Sequence, residues 1–230
     1  MLILGLLAGI ILPFETGINE QLRKRVGSPY YASFLSFVVA LIFLIVLLLV
    51  TGTGCTIPFN LIVGEPFWIW LGGICGSIFL TGNILLLANL DGVQTVILPA
   101  FGQIIMGVVI DTFGLFNATK VNLTVLRIIG AVLVAVGVSV VSFSKNNSSN
   151  QNRNDIKIWL WRIFGIIAGM LTALQAAFNG YLGKVISYPI KATLVSFITG
   201  TAFLFIVCVV VFLKSKGKGP EKVVHTKSSL

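Results

Sequence analysis

Glu15 lies inside an apolar stretch, with Asn19 four residues further on. A carboxylate in such a setting is costly when ionised and unpaired, so residues of this kind face a bundle interior or a wet cavity. A group that is costly to ionise there can take up and release a proton. Four residues is about one helical turn, so Glu15 and Asn19 share a face. Gln175 and Asn179 repeat the spacing in a later apolar stretch. These four groups are expected to line a midplane cavity that takes a small-molecule substrate or a proton. The plainer reading is that the amides join helices by hydrogen bonds. Gln103 is a further candidate, four residues after Pro99, which removes a backbone donor and can kink a helix. Asp111 and Arg127 are expected to pair at a membrane surface as structural polar residues.

The elements that must hold these groups follow from composition. Hydrophobic residues make up 57% of the chain and charged residues 10%, against about 45–50% and about 25% in soluble domains. The apolar residues lie in long blocks, which marks an all-α, polytopic bundle in a lipid bilayer. The net charge of +9 sits in short clusters between blocks and in the tail. That pattern sets topology and does not form a nucleic-acid surface. Cys55, Cys75 and Cys208 are too dispersed for a disulfide framework or a metal site, and the single histidine, His225, lies in a polar tail. No cofactor or metal is expected. With no P-loop and no hydrolytic constellation, the expectation is transport driven by a gradient and not an enzyme.

Seven blocks are long enough to span about 30 Å of hydrocarbon at 1.5 Å per residue. They cover roughly 2–22, 31–50, 67–88, 93–110, 123–143, 158–182 and 191–213. Residues 1–143 read as a five-helix half, 144–157 as a polar cytoplasmic linker, 158–213 as a partial second half and 214–230 as a basic, disordered tail. One face of this arrangement carries Arg23, Lys24, Arg25, Lys145, Arg153, Lys157 and the tail lysines. The opposite face offers chiefly Lys120, Lys184 and Lys191. The positive-inside rule therefore puts the N-terminus outside and the C-terminus inside.

The chain also matches itself without a gap when it is slid along itself until Gly5 meets Gly165. In that register Ala8, Gly9, Asn19, Leu22 and Lys24 fall on Ala168, Gly169, Asn179, Leu182 and Lys184. Pro29, Ala32, Ser36 and Phe37 fall on Pro189, Ala192, Ser196 and Phe197. Five spans separate the two starts, and an odd number inverts the second copy, as in many secondary transporters. The second copy covers two helices only. The chain is thus expected to be a fragment or a short form that assembles with a second copy or a homologous chain as an antiparallel pair. The competing expectation is a truncated or regulatory subunit that transports nothing itself.

Further motifs join the first: Gly5-x-x-x-Gly9, Pro13, Glu15 and Asn19, then Gly27-Ser28-Pro29 and Ser36-Phe37. Later come Trp68-x-Trp70-x-Gly72-Gly73, Gly102-Gln103, Ile110-Asp111-x-Phe113-Gly114 and Arg127-x-x-Gly130. Together, over essentially Met1 to Leu213, the chain resembles the YdcZ-like inner-membrane exporters of the drug/metabolite transporter superfamily. The resemblance implies antiparallel five-helix halves in a bacterial cytoplasmic membrane and export of a small metabolite or drug-like compound. The family usually has Gln at the position of Glu15 and His at that of Thr112. A first-helix glutamate that exchanges a proton for a cationic compound resembles the small multidrug resistance family.

Overall fold

The computed structural model describes residues 2–54, 56, 64–144 and 155–216. It contains the helices α1 (Leu2–Val26), α2 (Pro29–Val50), α3 (Leu71–Asn89) and α4 (Gly92–Phe113). These are followed by α5 (Val125–Ser144), α6 (Asp155–Ile186) and α7 (Pro189–Lys216). No strand occurs among the described residues. Each expected apolar block falls on a helix, so the chain is an all-α membrane bundle. Five helices among the described residues are long and apolar enough to cross a bilayer by themselves, and α5 contributes a shorter apolar stretch, Val125–Val140. Residues 145–154 of the linker and 217–230 of the tail, with His225 and Cys55, lie outside the described residues.

The helices overrun the expected ends. α1 continues to Val26, and within its last two turns Glu20 and Arg23, one turn apart, form a two-pronged ion pair with both contacts at 2.6 Å. Glu20 thereby balances one of the three positive charges, Arg23, Lys24 and Arg25, in the last turn of the helix.

Two hairpins are built alike. α1 ends where Gly27 turns left-handed (φ 78°) and donates its N–H to the Arg23 carbonyl at 2.8 Å. Glycine takes that conformation freely. Pro29 then opens α2, where its missing N–H costs nothing. Ser187, the counterpart of Gly27 in the repeat register, is also left-handed (φ 58°), and Pro189 opens α7. Ser33 and Thr193, again counterparts, donate to the Pro29 and Pro189 carbonyls, both at 3.0 Å. Elsewhere Asp91 caps α4, accepting from the Val93 and Gln94 N–H groups at 3.0 Å each, and left-handed Gly114 ends it.

Small residues set how closely the helices cross. A Cβ on Gly102 of α4 would run into the Ile166 carbonyl of α6, and one on Gly169 of α6 into the Pro99 carbonyl. Pro99 is buried at this crossing, so its place in the fold is as a contact surface for α6. α3 meets α7 in the same way, with Gly73 against the Ser196 carbonyl. Gly72 and Gly76 make room for side chains instead: Asn179 lies against the first and Gln175 against the second.

α6 is anchored at both ends. Near its start, Arg162 is 3% exposed. Its Nε donates to Gln94 Oε1 at 3.0 Å, and its guanidinium lies over the Trp159 ring at 5.3 Å. Near its other end, Trp68, Phe116, Phe178 and Tyr181 stack edge-on or tilted, with ring centroids 4.8 to 5.5 Å apart. Tyr181 also donates to Glu65 at 2.7 Å.

Candidate functional site

A cavity of about 230 Å³ opens between α1, α2, α3, α6 and α7. Glu15 and Thr16 line it from α1, Ser36, Phe37 and Ala40 from α2, and Gly76, Phe79, Leu80 and Asn83 from α3. Thr172 and Gln175 enter from α6 and Phe197 from α7. Among the described residues, the lining holds one carboxylate, no basic residue, and three phenylalanines beside short hydroxyls and amides. Such a surface can hold the apolar body of a small organic molecule and offer hydrogen bonds to its polar end.

The cavity has internal order. Glu15 and Gln175, counterparts in the repeat register, both line it. Phe37 and Phe197, related in the same way, touch there with ring centroids 5.0 Å apart. Gly76 is what admits Gln175, since any Cβ on it would collide with the amide.

The other candidates lie elsewhere. Asn19 and Asn179 do not line the cavity, although the helical spacing puts them on the faces of Glu15 and Gln175. Asn19, 5% exposed, is committed to α2, where its Oδ1 accepts from Ser36 Oγ at 2.6 Å. Asn179 packs its Oδ1 against Gly72 of α3. Helix contacts one turn away from the cavity have taken both amides. Gln103 is exposed and borders a separate crevice with Asp111, Gly107, Ala173 and Ala177. The α4–α6 crossing at Gly102 turns the next residue, Gln103, away from the first cavity. Arg127 and Asp111 form an ion pair at 3.3 Å, with side chains 35% and 41% exposed, at the α4–α5 end of the bundle.

Sequence reasoning passed over Asn83, whose Oδ1 is buried without a hydrogen-bond partner at the cavity wall. It is an amide in mid-span, the same signal that drew attention to Asn19. Arg162 was also passed over, a cation within the sixth block. Glu20 escaped notice because it sits where the first block was expected to end.

Among known proteins, the family described as "Putative inner membrane exporter, YdcZ" matches residues 1–140 and 160–223. No curated protein and no solved structure matches the chain. The matched residues take in α1 to α4, most of α5 and the whole of the α6–α7 hairpin from residue 160 onward, and so every residue that lines the cavity. A helical bundle with several membrane-crossing helices is what that family description requires, and the chain therefore belongs to the YdcZ family of inner-membrane exporters, as a multi-pass membrane transport protein.

Proposed function

We propose that this protein is a secondary transporter that moves a small organic compound by alternating access, in exchange for protons taken up at Glu15. One observation carries the reading: the cavity is lined by Glu15 and its counterpart Gln175, beside the touching pair Phe37 and Phe197. An inverted repeat places its transport site where the copies meet. The second stretch matched to the family begins at residue 160, next to where the repeat register puts the second copy.

In this reading all seven helices cross the membrane, with the N-terminus outside and the basic segments inside. The substrate's apolar part rests on Phe37, Phe79 and Phe197. A cationic or hydrogen-bonding end faces Glu15, with Gln175 and Asn83 beside it. Proton and substrate compete for the same carboxylate, which couples their movements in opposite directions. No covalent step is needed.

Glu15 remains exposed on α1 among Ile11, Phe14 and Ile18, which are 62%, 69% and 65% exposed. A carboxylate does not face lipid. This face of α1 therefore suits a protein neighbour, a second copy or a homologous chain in antiparallel arrangement. The same exposure favours a second reading, a non-transporting subunit that completes such a homologue.

Flux in proteoliposomes under a pH gradient tests the first reading. Glu15→Gln is expected to insert normally and to abolish pH-driven flux. Proton-coupled flux that persists at the native rate in that variant removes Glu15 from the mechanism. If neither the native chain nor its mixture with a homologue carries flux, the transporter reading is gone.

A further inference from the structure

Ser36 and Ser196 are counterparts in the repeat register, as are Asn19 and Asn179. In the first hairpin the pair is joined: Ser36 Oγ donates to Asn19 Oδ1 at 2.6 Å, tying α1 to α2. In the second hairpin the pair is open. Asn179 Oδ1 and Ser196 Oγ are both buried, and neither has a hydrogen-bond partner. Ser196 is 4% exposed. Gly72 of α3 packs against both groups. A Cβ built there would collide with Asn179 Oδ1 and come within 3.2 Å of Ser196 Oγ.

Two hairpins with the same turn and the same pair of polar residues thus hold that pair in opposite states. Buried hydroxyls and amides left unpaired are costly, and a structure keeps them only where another conformation satisfies them or other contacts outweigh them. Gly72, with no side chain, lets α3 come this close to both groups.

Resting on the transport reading above, we infer that the two pairs are reciprocal latches: the Asn19–Ser36 bond holds one half shut while Asn179–Ser196 is open, and the transport cycle exchanges them. Ser36 lines the cavity itself, so closing or opening the first latch changes the shape of the site. The Asn179–Ser196 latch joins α6 to α7 beside Gly72 of α3, one turn along α6 from Gln175 of the cavity and next to Phe178 of the aromatic cluster. Its closure requires α3 to withdraw at Gly72. The latch serines are positioning residues in this scheme. Their hydroxyls select a conformation and need not touch the transported compound.

The scheme makes opposite demands on equivalent serines. Ser36→Ala removes the bond that favours the state described here. Ser196→Ala relieves an unpaired group in this state and removes the bond that favours the other. A single cysteine at the cavity wall, Ala40→Cys, with Cys55, Cys75 and Cys208 replaced, reads the balance through labelling by a membrane-impermeant thiol reagent added from either side. Ser36→Ala is expected to shift the inside-to-outside labelling ratio by roughly three- to tenfold in one direction, and Ser196→Ala by a similar factor in the other. The double variant should return close to the native ratio, and Ser36→Thr and Ser196→Thr, which keep a hydroxyl, should stay near it. Two-sided labelling in which both alanine variants shift the ratio the same way, or leave it unchanged, overturns the latches while alternating access stands. Labelling from one side only, in every variant, overturns alternating access and the latches with it.

Discussion

The α1–α2 and α6–α7 hairpins share a turn, a proline start and a polar pair, yet the bundle holds them differently. α6 is clamped along its length. Gly165 packs on Leu86 and Leu98, Gly169 lies against the Pro99 carbonyl, Arg162 reaches Gln94, and Phe178 and Tyr181 close the far end. α1 exposes Ile11, Phe14 and Ile18, and a Cβ on its Gly17 would meet nothing within 4 Å. The hairpins' own residues make their shape, and the neighbouring helices decide how firmly each is held. A carrier needs such a difference, because one part must move against another that stays fixed.

Substitutions can break or sharpen this contrast. The largest effect is expected at the α4–α6 crossing. Gly169→Ala and Gly102→Ala each place a methyl group on a facing backbone carbonyl and should destabilise the protein by about 1–3 kcal/mol, read as a lowered unfolding temperature in detergent. Gly17→Ala on α1 is the matched control. Its counterpart in the second copy is Ala177, its site is open, and alanine is favoured in a helix by about 0.5–1 kcal/mol, so stability should hold or rise slightly. Equal losses at Gly17 and Gly169 would erase the contrast between the two helices. The smallest effect is expected outside both hairpins. Asp111→Asn loosens the exposed pair with Arg127 and should cost about 0–1 kcal/mol, with the unfolding temperature nearly unchanged.

Much of this was legible in the sequence because the bilayer admits few solutions. Seven apolar blocks had to be helices, since only helices and closed barrels satisfy every backbone group in lipid. The internal match set Pro29 against Pro189, the residues that open α2 and α7, and Glu15 and Gln175 line one cavity. Helical spacing could not say more about Asn19 and Asn179. It places a side chain on a face, and only the neighbouring helix decides whether that face is cavity or contact. Ser36 drew Asn19 into a helix contact, and Gly72 drew in Asn179. That Gln103 borders a separate crevice has the same kind of cause, because α4 meets α6 through Gly102 and Gly169, from different stretches of chain. Arg162 and Gln94 are 68 residues apart, a separation at which sequence alone offers no pairing.

The proposed carrier mechanism requires the two hairpins to enter the membrane from opposite sides. Ser28 and Tyr188 occupy the same place in the two turns, and Tyr188 is 48% exposed. In a chain with its native cysteines replaced, Ser28→Cys and Tyr188→Cys can each be probed in intact cells with a membrane-impermeant thiol reagent. Tyr188→Cys should be labelled directly, and Ser28→Cys only after the membrane is permeabilised. If both turns are labelled from the same compartment, the hairpins are parallel and the proposed carrier mechanism is contradicted.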